Sequence, residues 1–207
     1  MDTILVFAAG DPLPRQVAGD IPEADLVIAA NGGHALARDM GWRVDLLVGD
    51  LDSWDSKPDD DIEVQSHPPE KDATDLELAM EAAAGRDPQR IVVIGGSGGR
   101  LDHELAVAGV ICSTRWTDVD EIDWLSGRGR AHVVRGPRRL HGDVGATLTL
   151  LAMGGPATGV TTRGLHWNLR GSILLPGSSL GVSNIMESPV VDLTVESGTL
   201  LAVFPGI

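Results

Sequence analysis

The sequence predicts an α/β protein in two parts: a parallel sheet with flanking helices, followed by an all-β antiparallel sandwich domain. Three observations carry this expectation. Continuous apolar runs at Thr3–Ala9, Asp25–Ala30 and Ile91–Ile94 each end at a glycine-containing turn, as strands buried on both faces do. Helical segments stand between such runs, the rhythm that puts parallel strands under helices and ligands at the strands' carboxyl ends. Past about Thr117 the runs become short and are separated by Gly, Pro and Ser, the spacing of an antiparallel sandwich or barrel. A boundary is therefore expected near residue 118, with a Rossmann-like domain over 1–117 and an all-β domain over 118–207.

The elements follow in order. Thr3–Ala9 is the first strand, stopped by Gly-Asp-Pro. Asp25–Ala30 runs into Asn31-Gly32-Gly33, which opens a short helix over His34–Met40. Val44–Val48 is the next strand, broken at Gly49, and a polar loop containing Pro58, Pro68 and Pro69 extends to Glu70. Thr74–Ala84 is the clearest helix: Leu76, Ala79, Met80 and Ala83 make one apolar stripe, and Thr74 with Glu77 fits a capping box. The strand Ile91–Ile94 breaks at Gly95-Gly96-Ser97-Gly98-Gly99, after which Leu101–Cys112 reads as a helix. In the second part, Ile122–Leu125 and Ala131–Val134 flank Ser126-Gly127-Arg128-Gly129, a hairpin signal. Short runs at Ala146–Ala152, Gly159–Thr162, Ile173–Leu175, Val190–Val195 and Thr199–Phe204 complete it.

Composition excludes several classes of function. A formal charge of −14 with only Lys57 and Lys71 as lysines gives no clustered basic surface for phosphate backbones, so no nucleic-acid partner is expected. The single cysteine, Cys112, rules out a disulfide framework or a cysteine-rich metal site and reads as a buried, inert thiol. No apolar stretch approaches a membrane span and the first ten residues lack a basic region followed by a long apolar core, so a soluble, cytoplasmic protein is expected. The 43% of hydrophobic residues suffices for a core without staples.

Four stretches could carry chemistry. In Val44–Ser53 a strand breaks at Gly49 into Asp50 and Asp52, which can converge on one divalent ion once the backbone bends; an acidic turn capping a helix is the alternative. Lys71 to Asp75 opens the clear helix, where free N–H groups suit phosphate, Lys71 adds charge, and Asp75 is either a third metal carboxylate or a partner of the helix dipole. Gly95–His103 repeats the strand, glycine turn and helix; Arg100 can bind phosphate oxygens as a fork, Asp102 is a first-turn residue, and His103 reads as structural. In the β half, Trp167 is one of seven aromatics and either stacks on a flat or cationic heterocycle or fills the core. Ser183 and Asn184 either fix a ring's polar edge or make a turn, and His166 is expected in solvent.

Taken in this order, GDLDS, KDATD, GGRLDH and GLHWNL with VSN, the blocks closely resemble the thiamine pyrophosphokinase family from about Ile28 to the C-terminus. The resemblance implies transfer of a diphosphate group from ATP to the hydroxyl of thiamine with Mg2+, giving thiamine diphosphate and AMP, in a homodimer whose β domain presents thiamine. By the same resemblance Asp50, Asp52 and Asp75 would hold the metal. Asn31, Gly32, Gly33, Lys71, Thr74, Gly96, Gly98 and Arg100 would meet ATP, Asp102 would lie near the substrate hydroxyl as a candidate base, and Trp167, Ser183 and Asn184 would contact thiamine. Asn31 departs from the family's Ala-Asp-Gly-Gly by losing a charge. Two alternatives stay open: a diphosphokinase for another alcohol such as a hydroxymethylpterin, and a binding module without turnover.

Overall fold

The computed structural model describes residues 2–50 and 62–206. The chain divides into two compact units, one running through Ile111 and including Arg115–Arg128, the other formed by Cys112–Thr114 and the chain from Gly129 onward.

The described residues of the first unit form six parallel strands: β1 (Thr3–Ala8), β2 (Leu26–Ala30), β3 (Leu46–Gly49), β4 (Glu63–Ser66), β5 (Arg90–Gly95) and β6 (Glu121–Ser126). Their order across the sheet is β4-β3-β2-β1-β5-β6, every neighbouring pair parallel. The chain steps outward one way from β1 and the other way from β5, so the sheet has its switch point between these two strands, where ligands of such sheets bind. Among the described residues four α-helices accompany the strands: α1 (Arg15–Ala18), α2 (Gly33–Asp39), α3 (Asp75–Ala84) and α4 (Leu101–Ile111).

Why these residues fold this way is plain from burial. Ile4 to Phe7 and Ile91 to Ile94 have no exposed surface, as unbroken apolar strands under helices should. Leu5, Phe7, Val27, Ala29, Leu47, Val92 and Ile94 form one core layer with Leu36 and Ala37 of α2. The α3 stripe of Leu76, Ala79, Met80 and Ala83 is buried as its spacing predicts, the helix crossing β1, β2 and β3. Each large side chain so buried contributes about 1.5–3 kcal/mol.

Two expectations change here. The polar loop before Glu70 contains β4, whose four residues are all exposed; an edge strand pairs by its backbone alone and needs no apolar pattern. The segment Ile122–Leu125 is not the opening of the all-β half: as β6 it pairs parallel with β5, with Val92 opposite Asp123, so the first unit extends to Arg128 rather than ending near 118. Arg90 bridges the two strands, donating to Asp123 Oδ2 from Nε at 2.8 Å and Nη2 at 2.5 Å.

The second unit is antiparallel. It contains β7 (Gly129–Val134), β8 (Arg138–His141), β9 (Thr147–Arg163), β10 (Ser172–Leu174), β11 (Asn184–Ile185), β12 (Val190–Thr194) and β13 (Ser197–Pro205). The order is β7-β13-β9-β12-β8, with β10 and β11 also on β9. The two runs Ala146–Ala152 and Gly159–Thr162 are one strand, β9. Gly154, at φ 72°, and a register shift against β13 bend it without ending it. Its core includes Leu148, Leu150, Val160, Leu174, Leu193 and Leu200.

Candidate active site

A cleft of about 570 Å³ opens at the carboxyl ends of the first unit's strands. It is lined by Ala8, Ala9 and Gly10 after β1, by Asn31 and Gly32 after β2, and by Asp50 after β3; Gly96, Ser97 and Arg100 after β5 complete this rim. The loop and start of α3 add Lys71, Thr74 and Asp75. The cleft therefore straddles the switch point between β1 and β5, and six of the residues expected to meet a nucleotide (Asn31, Gly32, Lys71, Thr74, Gly96 and Arg100) share it with Asp50 and Asp75.

The acidic corner is built by two turns. Gly49 has φ 154°, and a Cβ there would lie 3.0 Å from Asn31 Cβ and 3.2 Å from Asp75 Oδ1, so a side chain would displace both. The bend delivers Asp50 beside the N-terminus of α3, where Thr74 caps the helix by accepting Glu77 N–H at 3.2 Å. Lys71 Nζ then lies 2.6 Å from Asp75 Oδ1 and 3.7 Å from Asp50 Oδ2. Burial works against the Lys71 charge, but Asp75 and Asp50 outweigh it and hold the ammonium above its ordinary range. Asn31 Nδ2 donates to Asp50 Oδ1 at 2.9 Å and Asp75 Oδ2 at 3.3 Å.

The fit of a divalent ion to this corner is judged by that ammonium. Oxygens of two carboxylates already converge on one cationic nitrogen in a largely enclosed position, a donor set of the kind that holds magnesium together with water and substrate phosphates. Asp52 lies outside the described residues, and among the described residues no group of three His, Cys, Asp or Glu converges.

Three expected residues have other surroundings. Gly33 and Gly98 do not line the cleft: a Cβ on Gly33 would fall 2.0 Å from Phe7 O, and one on Gly98 1.8 Å from Asp11 Oδ2, so both glycines serve close packing. Asp102 is likewise off the cleft wall. It takes Arg100 Nε at 3.1 Å and Nη2 at 2.5 Å, and this pairing holds its carboxyl below the ordinary carboxylate range. In this arrangement it is a partner of Arg100. His103, read as structural from sequence, does line the cleft. A histidine one turn into a helix carries no distinguishing sequence signal.

In the second unit Trp167 is 57% exposed, which removes the core-filler alternative. Its indole meets the His166 ring edge-on at 4.5 Å between centroids, and His166 Nδ1 is 2.6 Å from Glu187 Oε1. Asn184 is 3% exposed and turned inward: Oδ1 accepts Trp167 N–H at 3.1 Å and Ile185 N–H at 2.9 Å, while Nδ2 donates to Trp167 O at 2.8 Å. Ser183 is exposed at φ 57°, its N–H donating to Thr149 Oγ1 at 3.0 Å. Of the three residues expected at a heterocycle, Trp167 and Ser183 face solvent and Asn184 holds the Trp167 backbone.

Fold and cleft together define the class: an α/β protein with a ligand cleft at the switch point of a parallel sheet, joined in one chain to an antiparallel β unit. Comparison with known families narrows this. The thiamin pyrophosphokinase catalytic domain matches residues 20–120, and the thiamin pyrophosphokinase vitamin B1 binding domain matches residues 131–200. The chain belongs to the thiamin pyrophosphokinase family. It is 28% identical to thiamine pyrophosphokinase 1 of Oryza sativa subsp. japonica over 76% of this chain; the match spans 65% of that relative's length. The crystal structure of thiamine pyrophosphokinase from Bacillus subtilis superposes with a TM-score of 0.83 at 21% identity, covering 100% of both chains. That of thiamin pyrophosphokinase from Geobacillus thermodenitrificans gives 0.80 at 21% identity, covering 99% of this chain and 98% of the other. Among the described residues no helix is long and apolar enough to cross a membrane.

Proposed function

We propose that this chain is a thiamine diphosphokinase, transferring a diphosphate group from ATP to the hydroxyl of thiamine to give thiamine diphosphate and AMP. The observation that carries the reading is the convergence of Asp50 Oδ2 and Asp75 Oδ1 on one cation position inside the switch-point cleft. Diphosphate transfer needs the triphosphate charge neutralised and the alcohol aligned with the β-phosphorus, so positioning and electrostatics supply most of the catalysis. When bound, Mg2+ would neutralise phosphate oxygens. Asp50 and Asp75, with Asp52 as the expected third carboxylate, are the residues that would hold it. Lys71 and the exposed Arg100 would bind the remaining oxygens, and the turn after β5 leaves room for them at Gly96.

In this reading the α/β domain handles ATP and Mg2+ and the antiparallel domain, as a β-sandwich, presents thiamine and forms a homodimer. The exposed indole of Trp167 suits a cationic thiazolium ring by cation–π attraction, worth roughly 0.5–2 kcal/mol, and favours thiamine over an uncharged pterin alcohol. Ser183, next to Asn184 in the chain and exposed, would offer a hydroxyl to the ring's polar edge. The exposed Ile173, Leu175, Leu180 and Val182 support a second copy on this domain. A soluble, cytoplasmic enzyme without a nucleic-acid partner suits the charge of −14.

The deciding experiment is incubation with ATP, Mg2+ and thiamine, with nucleotide products resolved by chromatography. AMP together with thiamine diphosphate is the expected result. ADP would mean monophosphate transfer, and no nucleotide product would favour another acceptor or a binding module.

A further inference from the structure

The two carboxylates of the acidic corner are divided in the same way. One oxygen of each, Asp50 Oδ1 and Asp75 Oδ2, is held by Asn31 Nδ2, at 2.9 and 3.3 Å. The other oxygen of each, Asp50 Oδ2 and Asp75 Oδ1, faces Lys71 Nζ, at 3.7 and 2.6 Å. Ionised carboxylates only accept hydrogen bonds, so the amide nitrogen of Asn31, not its oxygen, must be the atom turned toward them. The backbone of Asn31 allows no easy retreat. Its N–H donates to Val48 O at 2.8 Å and its carbonyl accepts His34 N–H at 3.2 Å, which ties it to β3 and to the start of α2. Its φ of 39° is left-handed, a conformation asparagine tolerates better than most residues.

We propose that Asn31 is a positioning residue rather than a metal ligand: its amide group sets the rotation of Asp50 and Asp75 so that one oxygen of each points at a single cation position, which Lys71 Nζ fills until a divalent ion displaces it. This rests on the reading of Asp50 and Asp75 as metal carboxylates. Without the amide, two neighbouring carboxylates repel and rotate apart; with it, each has one oxygen neutralised by a donor and the other directed inward. A divalent ion entering that position displaces the ammonium, which stands beside the N-terminus of α3 in the same cleft and is then available to phosphate oxygens. Metal entry and phosphate binding are thereby coupled through Lys71.

The test is titration of Mn2+ into the nucleotide-free protein, with the free ion followed by electron paramagnetic resonance. Asn31→Gly removes the amide at a φ that glycine accepts, and Mn2+ binding is expected to weaken about tenfold or more, as for other partners that orient metal ligands. Asn31→Ser, with one donor, should fall between. Lys71→Met should tighten Mn2+ binding about tenfold, because no ammonium has to be displaced. Wild-type or tighter binding in Asn31→Gly overturns the positioning role, as does wild-type binding in Asn31→Ser should the glycine variant fail to fold. Wild-type or weaker binding in Lys71→Met overturns the placeholder. Asp50→Asn and Asp75→Asn separate the two levels. If both bind Mn2+ as wild type does, the metal reading fails and this proposal with it; if they lose the ion while Asn31→Gly keeps it, only the proposal fails.

Discussion

Asn184 clasps the peptide of Trp167 from both ends, accepting its N–H at 3.1 Å and donating to its carbonyl at 2.8 Å. The large aromatic surface that Trp167 turns to solvent is thus fixed by a buried amide behind it. Asn184→Ala would leave these backbone groups without that partner in a buried setting, at about 1–3 kcal/mol. The expected outcome is a lower melting temperature together with weaker thiamine binding in calorimetry, ATP binding unchanged. Trp167→Ala should weaken thiamine binding comparably while leaving the melting temperature at wild type, since its indole is 57% exposed.

Two arginine–aspartate pairs of similar geometry should behave oppositely. Asp123 is 1% exposed and held by Arg90, so Arg90→Leu takes the guanidinium from a buried ion pair and should cost about 3–5 kcal/mol in denaturant unfolding. Arg100 and Asp102 are both exposed, so Arg100→Leu should leave the unfolding midpoint where it is. It should instead lower kcat/KM for ATP. A large loss of stability in Arg100→Leu would contradict this assignment.

Cys112 is buried, and burial pushes its thiol up to about 12, with Arg135 pulling the other way. The thiol is therefore expected to resist a disulfide reagent at pH 8 in the native protein and to react promptly in denaturant. The sign of the linkage follows: the folded state keeps the proton that the unfolded chain releases near 9. This contribution to stability is fully present below about pH 9 and is lost as pH rises toward 12. Cys112→Ala should flatten that alkaline limb in thermal melts at stepped pH.

Gly49 combines a φ of 154° with close approach to Asn31 and Asp75. Gly49→Ala should displace the acidic corner, costing about 1–3 kcal/mol of stability and, in a Mn2+ titration, metal affinity. A variant that binds Mn2+ as wild type does would show that the corner tolerates the shift.

By itself the sequence determined β1, β2, β3 and β5 and the helices α2, α3 and α4 of the parallel half, but not α1, β4 or the place of β6. Those four strands are unbroken apolar runs, and the α3 stripe and Thr74 cap are local patterns whose physics does not depend on distant partners. It also brought forward Asp50, Lys71, Asp75 and Arg100, because glycine-broken strand ends and a helix start mark where a cleft can form. Tertiary structure alone decided what has no local signature. The four exposed residues of β4 are a strand only because β3 offers them a backbone. β6 belongs to the parallel sheet because β5 offers it a backbone from Arg90 to Ile94, and Arg90 holds the buried Asp123 across the two strands. Which atoms meet is likewise a product of packing: the bend at Gly49 brings Asp50 beside Asp75 at the start of α3, and Asn31 turns its nitrogen rather than its oxygen to the two carboxylates because they only accept hydrogen bonds. Asn184 supports Trp167 from within because the loops of the antiparallel unit bury its amide, and Gly33 and Gly98 pack against the backbone of β1 and against Asp11 where the sequence suggested phosphate.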